Sequence, residues 1–427
     1  MIICLCIGFL ICIMMGVPIA FSMIIASVIA VVSSDSLPLP LIAQRLGSGI
    51  DNFTYLAIPL FILAGAIMER SAISIRLVEF AKSLVGHFRG GMGQVVIVSE
   101  IFFSGISGAS LSDASAIGSI MFPTLKKSGY EPAKAVALIA AACAMGILIP
   151  PCLTMVVLGA LAGVSVSALF VAGFLPGFLM AIALMILVYV QSKRGLLPAG
   201  EVKATLSERF LAFRGAIFPL LLPVIIFGGI LGGIFSPTEA AGVAVLYALL
   251  VATFVYKEMS FKLFYELLVD TAVTTGAIGL ILGAASAFSA ILSFGGVPDQ
   301  VADLIIGFSS NPLVFLITAN LVFLLFGALL DGIPALLLFV PILLPVAKSL
   351  GIDTLHFALM SVASLGVGLV VPPIGILVLV VCSITKTPLG EVSKAMLPYL
   401  GILILCLLLM IIFPPLILYL PQYFGLS

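Results

Sequence analysis

The chain predicts an all-α polytopic membrane protein, an inverted repeat with two re-entrant helical hairpins and two broken transmembrane helices. Three observations carry this. Of 427 residues, 63% are hydrophobic and 8% charged, at a mean hydropathy of +1.39, whereas a soluble domain needs far more polar surface. The apolar stretches are helix-length, which excludes a membrane β-barrel of short alternating strands. Landmarks also recur at a spacing of 222 residues. Gly146-Ile-Leu-Ile-Pro-Pro151 pairs with Gly368-Leu-Val-Val-Pro-Pro373. Pro123 pairs with Pro345, Lys126 with Lys348, Gly129 with Gly351 and Pro176 with Pro398. Such a sustained register marks a duplicated unit, with copies near 90–180 and 312–402.

Composition also removes whole function classes. The 18 basic and 18 acidic residues cancel, leaving no electrostatic footprint for nucleic acid. The seven cysteines lie in apolar segments without metal-ligand spacing and read as small hydrophobes. His87 and His356 are far apart in sequence, and His356 reads as a surface residue at a helix start. No HExxH, Gly-x-Ser-x-Gly or paired-carboxylate motif supports an enzyme.

Residues 1–32, apolar throughout and without a basic start, read as a first membrane helix. Residues 37–50 are proline-punctuated and amphipathic, suiting the interface, and a span follows over 53–67. Arg70, Arg76, Lys82 and Arg89 mark residues 70–89 as a basic cytoplasmic surface helix.

Residues 90–127 are too short for two crossings, since each needs ~20 residues at ~1.5 Å per residue. Their Ser/Gly-rich centre, Ser104 to Asp113, reads as the tip of a re-entrant hairpin. Its flanks are basic (Arg89, Lys126, Lys127), whereas residues 311–348 are flanked by Asp303, Lys348 and Asp353. That asymmetry points the two hairpins to opposite faces. Between the copies come a helix over 164–190 and a cytoplasmic loop holding Lys193, Arg194, Lys203, Arg209 and Arg214. A Pro/Gly-rich span over 216–235 follows, then a span opened by Ser236-Pro-Thr-Glu-Ala-Ala241 and running to Val255. An interfacial helix is expected near 258–268, a span over 271–293 and an amphipathic segment near 297–308. The last helix is expected over 388–420. Glu100 and Glu239 fit either an interface or a helix cap.

Pro150 and Pro151 lack the amides that would bond the carbonyls of Gly146 and Ile147, and their rings clash with the preceding turn. Pro372 and Pro373 do the same to Gly368 and Leu369. Polar groups freed at mid-membrane cost several kcal/mol unless they find a partner. Neighbouring donors, water or a cation could serve. The first tip offers Ser104, Ser107, Ser110, Ser112 and Asp113, and the second Gly327, Asp331 and Gly332. Carbonyls, hydroxyls and a carboxylate together suit a small hard cation such as sodium. The half-helix N-termini after the breaks suit an anionic solute. Small residues in membrane helices usually serve packing, and a lone proline is usually a tolerated kink. Recurrence in both copies favours a site over those readings, and Asp331 adds an intramembrane acid.

In combination the hairpin tip Ser-Gly-Ile-Ser-Gly-Ala-Ser, Gly-Ile-Leu-Ile-Pro-Pro, Ser-Pro-Thr-Glu-Ala-Ala and Val-Val-Pro-Pro-Ile-Gly are specific. Over essentially its whole length the chain resembles the large membrane subunit of tripartite ATP-independent periplasmic (TRAP) transporters. The resemblance implies sodium-driven symport of a small organic acid across the bacterial inner membrane, with sodium as coupling ion and no other cofactor. It implies two partners: a periplasmic binding protein that delivers the substrate, and a small membrane subunit, here expected as a separate chain. It also implies an elevator, with repeats 90–180 and 311–402 moving against a scaffold of 1–89 and 181–310, and 403–427 ending the last helix. Carried onto this sequence, one sodium site would use Ser104, Gly105, Ser110, Gly146 and Ile149. The other would use Gly327, Asp331, Gly368 and Val371. Substrate would sit near Ser107, Ser112, Pro151 and Thr154. Dicarboxylates, sialic acids, sugar acids and keto acids all stay open as solutes. The competing reading is a stand-alone sodium–anion symporter that needs no binding protein.

Overall fold

The structure is a computed structural model that describes residues 1–427 except 35, 36, 71, 72, 299, 302, 304–310 and 427. The described residues form helices and connections, with no strand among them. Seven helices are long and apolar enough to cross a membrane, or eight if one bent pair counts as a single span. The expected fold class holds, with local corrections.

The first correction concerns residues 1–32, which form two helices. Helix α1 (Ile2–Met14) and α2 (Ile19–Val32) fold back on each other. Gly16 adopts a left-handed φ of 78° and Pro18 cannot continue a helix. A Cβ on Gly8 would touch the Ala26 backbone at 3.6 Å, so a small residue sets that contact. Then come α3 (Pro40–Ser48) and α4 (Ala57–Glu69), the latter opened by a short turn at Phe53–Leu56, with a bend of 58° at the break over residues 49–52. The basic surface helix is α5 (Ile73–Val85), whose inner face buries Ile73, Leu77 and Ala81.

Hairpin 1 is α6 (Gly91–Ser107) and α7 (Ser110–Lys127), turning at Gly108 and Ala109. Tyr130 closes its open end. Its hydroxyl donates to the Gly90 carbonyl at 2.9 Å and accepts from the Gly93 amide at 3.0 Å. The first broken helix is α8 (Pro132–Gly146) and α9 (Leu153–Ala162), followed by α10 (Val166–Lys193).

Two capping boxes open the next helices, α11 (Leu206–Leu231) at Thr205/Glu208 and α12 (Pro237–Leu250) at Ser236/Glu239. Glu239 is therefore a cap. The interfacial helix and span expected over 258–293 are one continuous helix, α13 (Phe261–Phe294). No glycine cap or proline interrupts them, so nothing stops the helix. Most of the segment expected near 297–308 lies outside the described residues.

Repeat 2 follows as hairpin α14 (Pro312–Leu329) and α15 (Gly332–Ser349), then broken helix α16 (Thr354–Gly368) and α17 (Ile376–Thr385). The last expected helix is two, α18 (Leu389–Ile412) and α19 (Pro415–Tyr423), because Pro414 and Pro415 stop the first. The boundaries expected at residues 180 and 402 fall inside α10 and α18.

The helices up to each break keep the 222 register, as α7 with α15 shows. Beyond it the register is 223, since Leu153 is matched by Ile376 and Val166 by Leu389. One extra residue therefore sits in the second break, and the expected pairing of Pro176 with Pro398 is off by one, since Tyr399 takes the matching place. The repeats pack reciprocally: α7 lies on α17, and α15 lies on α9. The two broken helices meet where a Cβ on Gly366 would press on Ile147 and sit 2.8 Å from the Ala144 carbonyl. His356, expected at the surface, is buried at the start of α16. Its Nε2 lies 3.1 Å from the Met410 carbonyl, so a packed helix pair covers it.

Candidate functional site

Each break is a short, tight turn of the same design. The Ile149 amide donates to the Gly146 carbonyl at 2.9 Å, and the Val371 amide to the Gly368 carbonyl at 2.9 Å. Both double prolines contain a cis peptide bond, Pro150–Pro151 and Pro372–Pro373. The carbonyls expected to be free are thus partly re-satisfied by a 3₁₀-type turn, as helix ends commonly are. A carbonyl keeps a second lone pair, and at Gly146 the Ser104 hydroxyl donates to it. The same hydroxyl lies 3.4 Å from the Ile149 carbonyl. Ser104, Gly146 and Ile149 therefore share one buried cluster.

Two acids outside the expected sodium and substrate sets stand beside it. Glu100 is one helical turn before Ser104 and fully buried. Its Oε2 accepts from the Cys143 thiol at 3.4 Å, while Oε1 is buried without a hydrogen-bond partner. A Cβ on Gly146 would fall on that Oε1 and lie 3.2 Å from the Ser104 hydroxyl. Gly146 is thus small because a carboxylate and a hydroxyl need the space. Asp113, in the first turn of α7, accepts from the Ser107 hydroxyl and keeps Oδ2 buried without a partner. Glu100 was legible as an acid inside an apolar leg at the i−4 position of Ser104.

The tip of hairpin 1 rests on its own broken helix. Gly108 has φ 65°, its carbonyl accepts from the Leu153 amide at 3.2 Å, and a Cβ there would strike the Pro151 carbonyl. On the other side, a Cβ on Gly65 of α4 would come within 3.0 Å of the Ser107 backbone. A Cβ on Gly105 would lie 3.5 Å from the Pro223 ring of α11 and 3.8 Å from the Pro150 carbonyl. Ser110 starts α7, half-buried. Ser107 and Ser112 line a cavity of about 300 Å³ with Glu69, Arg70 and Asp270.

Hairpin 2 is arranged differently. Gly327 and Gly368 meet backbone to backbone: a Cβ on Gly368 would lie 2.9 Å from the Gly327 Cα, and one on Gly327 2.8 Å from the Leu365 carbonyl. Val371 accepts from the Gly375 amide at 2.9 Å. Asp331 is exposed and caps α15, accepting from the Gly332 amide at 2.8 Å. At the positions of Glu100 and Cys143 repeat 2 has apolar Val322 and Leu365, and its buried polar pair, Asn320 bonded by the Ser364 hydroxyl, lies at other positions of the two helices. Thr154 of the first break faces this second tip, 3.7 Å from where a Gly332 Cβ would be. Pro151 lies beneath Gly108. Among the expected substrate residues, Ser107 and Ser112 thus share a cavity, while Thr154 sits between the two tips.

Paired hairpins docked on paired broken helices, inside an otherwise apolar bundle, form the architecture of a multi-pass membrane transporter. A solved structure has the same fold: the YdaH transporter of Alcanivorax borkumensis aligns with a TM-score of 0.57 at 15% identity, covering 89% of each chain.

The family is settled by sequence. A family model described as "Tripartite ATP-independent periplasmic transporter, DctM component" matches residues 6–416. The sialic acid TRAP transporter large permease SiaM of Vibrio cholerae is 39% identical over 410 residues, 96% of each chain. The C4-dicarboxylate large permease DctM of Pseudomonas aeruginosa is 36% identical over 386 residues, 90% of each. The 2,3-diketo-L-gulonate large permease YiaN of Escherichia coli is 33% identical over 402 residues, 94% of each. This chain belongs to the large membrane component of the TRAP transporters and is a multi-pass inner-membrane protein.

Proposed function

We propose that this chain is the sodium-coupled permease for a small organic acid anion, supplied by a periplasmic binding protein and working with a small membrane subunit. The observation that carries the reading is the oxygen cluster at the first break. Ser104 joins the Gly146 and Ile149 carbonyls, and beside them Glu100 keeps a buried, unpartnered carboxylate oxygen. Such a set matches a hard monovalent cation, which takes several oxygen ligands. When sodium binds, the Ser104 hydroxyl turns a lone pair toward the ion in place of its proton. The second site uses the Gly327–Gly368 contact with Val371 and Asp331, where backbone oxygens outnumber side chains. Ser110 and Gly105 complete the first tip.

Named substrates of relatives, sialic acid, C4-dicarboxylate and diketogulonate, are all organic acids. The N-termini of α9 and α17 point partial positive charge at the tips, suiting a carboxylate. Substrate is held among Ser107, Ser112, Thr154 and the backbone at Pro151. Small-residue contacts such as Gly65 against Ser107 suit an elevator, because a smooth surface lets one block slide past another. If net positive charge moves inward with the solute, each elementary charge gains ~2.3 kcal/mol per 100 mV. That corresponds to ~50-fold accumulation.

The test is thermal stability of the purified protein across a sodium series against potassium at equal ionic strength. A saturable, sodium-specific rise is expected, since a ligand of the folded state stabilises it. Identical curves in the two salts would overturn sodium coupling. Uptake by proteoliposomes without a binding protein would favour a stand-alone symporter instead.

A further inference from the structure

A second and larger cavity, about 650 Å³, lies between the scaffold and hairpin 2 and touches neither hairpin tip. Its volume is in the range of pockets that take small organic ligands. Helix α3 and the turn after it supply Arg45, Ser48, Asp51 and Asn52, and α13 supplies Ser286, Ser289 and Ser293. The moving side contributes Leu337 and Pro341 of α15 and Ala160 and Leu161 of α9. Leu337 and Pro341 stand ~8 and ~14 Å beyond the tip residue Gly332 at ~1.5 Å per residue, toward the open end of the hairpin. The cavity at Ser107 and Ser112 lies at the other hairpin and shares no lining residue with this one.

Three features make this a built site. Arg45 forms no ion pair among the described residues, where the ion pairs are Lys82–Glu201, Lys134–Glu131 and Lys262–Glu266. Its guanidinium offers five donors in a planar fork, the geometry that holds a carboxylate. The serines at 286, 289 and 293 fall on one face of α13 at spacings of three and four. Hydroxyls in these helices commonly bond the carbonyl four residues back, as Thr274 does to Asp270 at 2.9 Å and Ser361 to Phe357 at 2.8 Å. Ser286, Ser289 and Ser293 make no such bond among the described residues and keep their hydroxyls for the cavity. The wall is also fixed. A Cβ on Gly49 would overlap the Ser286 side chain, and one on Gly283 would lie 2.8 Å from the Leu46 carbonyl. Helix α3 is thereby pressed on α13 and Arg45 is held at the rim.

We propose that this cavity is a receiving site for the substrate on the face of hairpin 2. Arg45 takes the carboxylate, while Ser286, Ser289, Ser293 and the Asp51–Asn52 turn take hydroxyl groups. The ligand class is a polyhydroxylated monocarboxylic acid, a sugar acid. A plain dicarboxylate would set its second charge against Asp51. The assignment rests on the organic-anion reading above and names the substrate class within it.

The experiment reads the electrostatics without sodium or a transport assay. Ser289→Cys is made in the full chain, purified in detergent and kept in potassium. It is labelled with an anionic sulfonatoethyl and a cationic trimethylammonioethyl thiosulfonate, and the wild-type background from the native cysteines is subtracted. Adding Arg45→Gln should lower the anionic-to-cationic rate ratio about fivefold or more, because one charge acts oppositely on the two reagents. D-Gluconate should slow labelling when Arg45 is present, and D-glucose should not. A ratio unchanged by Arg45→Gln, or gluconate protecting no better than glucose, overturns the proposal. Ser293→Cys, about one turn along the same face, repeats the measurement should the first variant fail to fold. Loss of sodium specificity in the stability assay would leave this result standing, so the two readings fail separately.

Discussion

Glu100 and Gly146 are in contact across the first hairpin and its broken helix. The Glu100 Oε1 occupies the space a Cβ on Gly146 would need. A broken helix is thus held against an acid on its neighbour, and the contact forbids any side chain at residue 146. Gly146→Ala should therefore push α6 from α8. The expected cost is about 1–3 kcal/mol, typical of overpacking, with loss of sodium-specific stabilisation. Thermal unfolding in sodium and potassium reads both effects. Unchanged sodium specificity in a folded variant would show that the contact is packing alone.

Glu100→Gln preserves size while removing the carboxylate. It should weaken sodium binding at least tenfold, equal to ~1.4 kcal/mol, while the variant remains inserted and folded. Sodium titration by isothermal calorimetry gives the affinity, and wild-type affinity in the variant would remove Glu100 from the site.

Asp331 separates structural from ionic roles in the second tip. Asparagine caps helices as well as aspartate does, so Asp331→Asn should leave the melting temperature in potassium nearly unchanged. Sodium dependence should weaken. Full sodium activation of uptake in this variant would sink the assignment of Asp331.

Gly108 joins the tip of hairpin 1 to the Pro151 backbone at a left-handed φ of 65°. Gly108→Ala adds about 1–2 kcal/mol of backbone strain and drives the tip off the break. Uptake should fall more steeply than stability does, because in the proposed mechanism the tip closes on the break to bind ions. Comparing uptake rates with unfolding midpoints tests this.

Tyr130 is a structural tie, and its pH dependence has a definite sign. Burial, partly offset by the Gly93 amide, pushes its phenol up to about 12. The unfolded chain titrates near 10, so the contribution of Tyr130 is complete below pH 10 and is lost as pH rises toward 12. Tyr130→Phe removes the phenol's hydrogen bonds while the Gly90 carbonyl keeps the Gln94 amide at 3.0 Å, and should cost about 1 kcal/mol at neutral pH. The stability gap between wild type and variant should shrink above pH 10. A gap that stays constant would refute the buried phenol.

The sequence by itself determined the membrane class, the repeat and the two breaks. Each follows from local physics: hydropathy needs no neighbours, and Pro150–Pro151 and Pro372–Pro373 stop helices wherever they occur. The hairpin tips were legible for the same reason, since Ser104 to Asp113 is short and polar between apolar legs. Tertiary structure decided the rest. Which oxygens meet depends on contacts 40 or so residues apart, such as Ser104 with Gly146 (|i−j| = 42), and no local pattern encodes those. Glu100 read as an interface or cap residue because only the packing of α6 on α8 buries it. The single helix over Phe261–Phe294 and the buried His356 were missed alike, because a continuous helix needs no signal and burial depends on what packs above. Arg45 falls in the 37–50 stretch expected at the interface, and nothing local marks it further. The cavity it lines exists only because α3, α13 and hairpin 2 converge there.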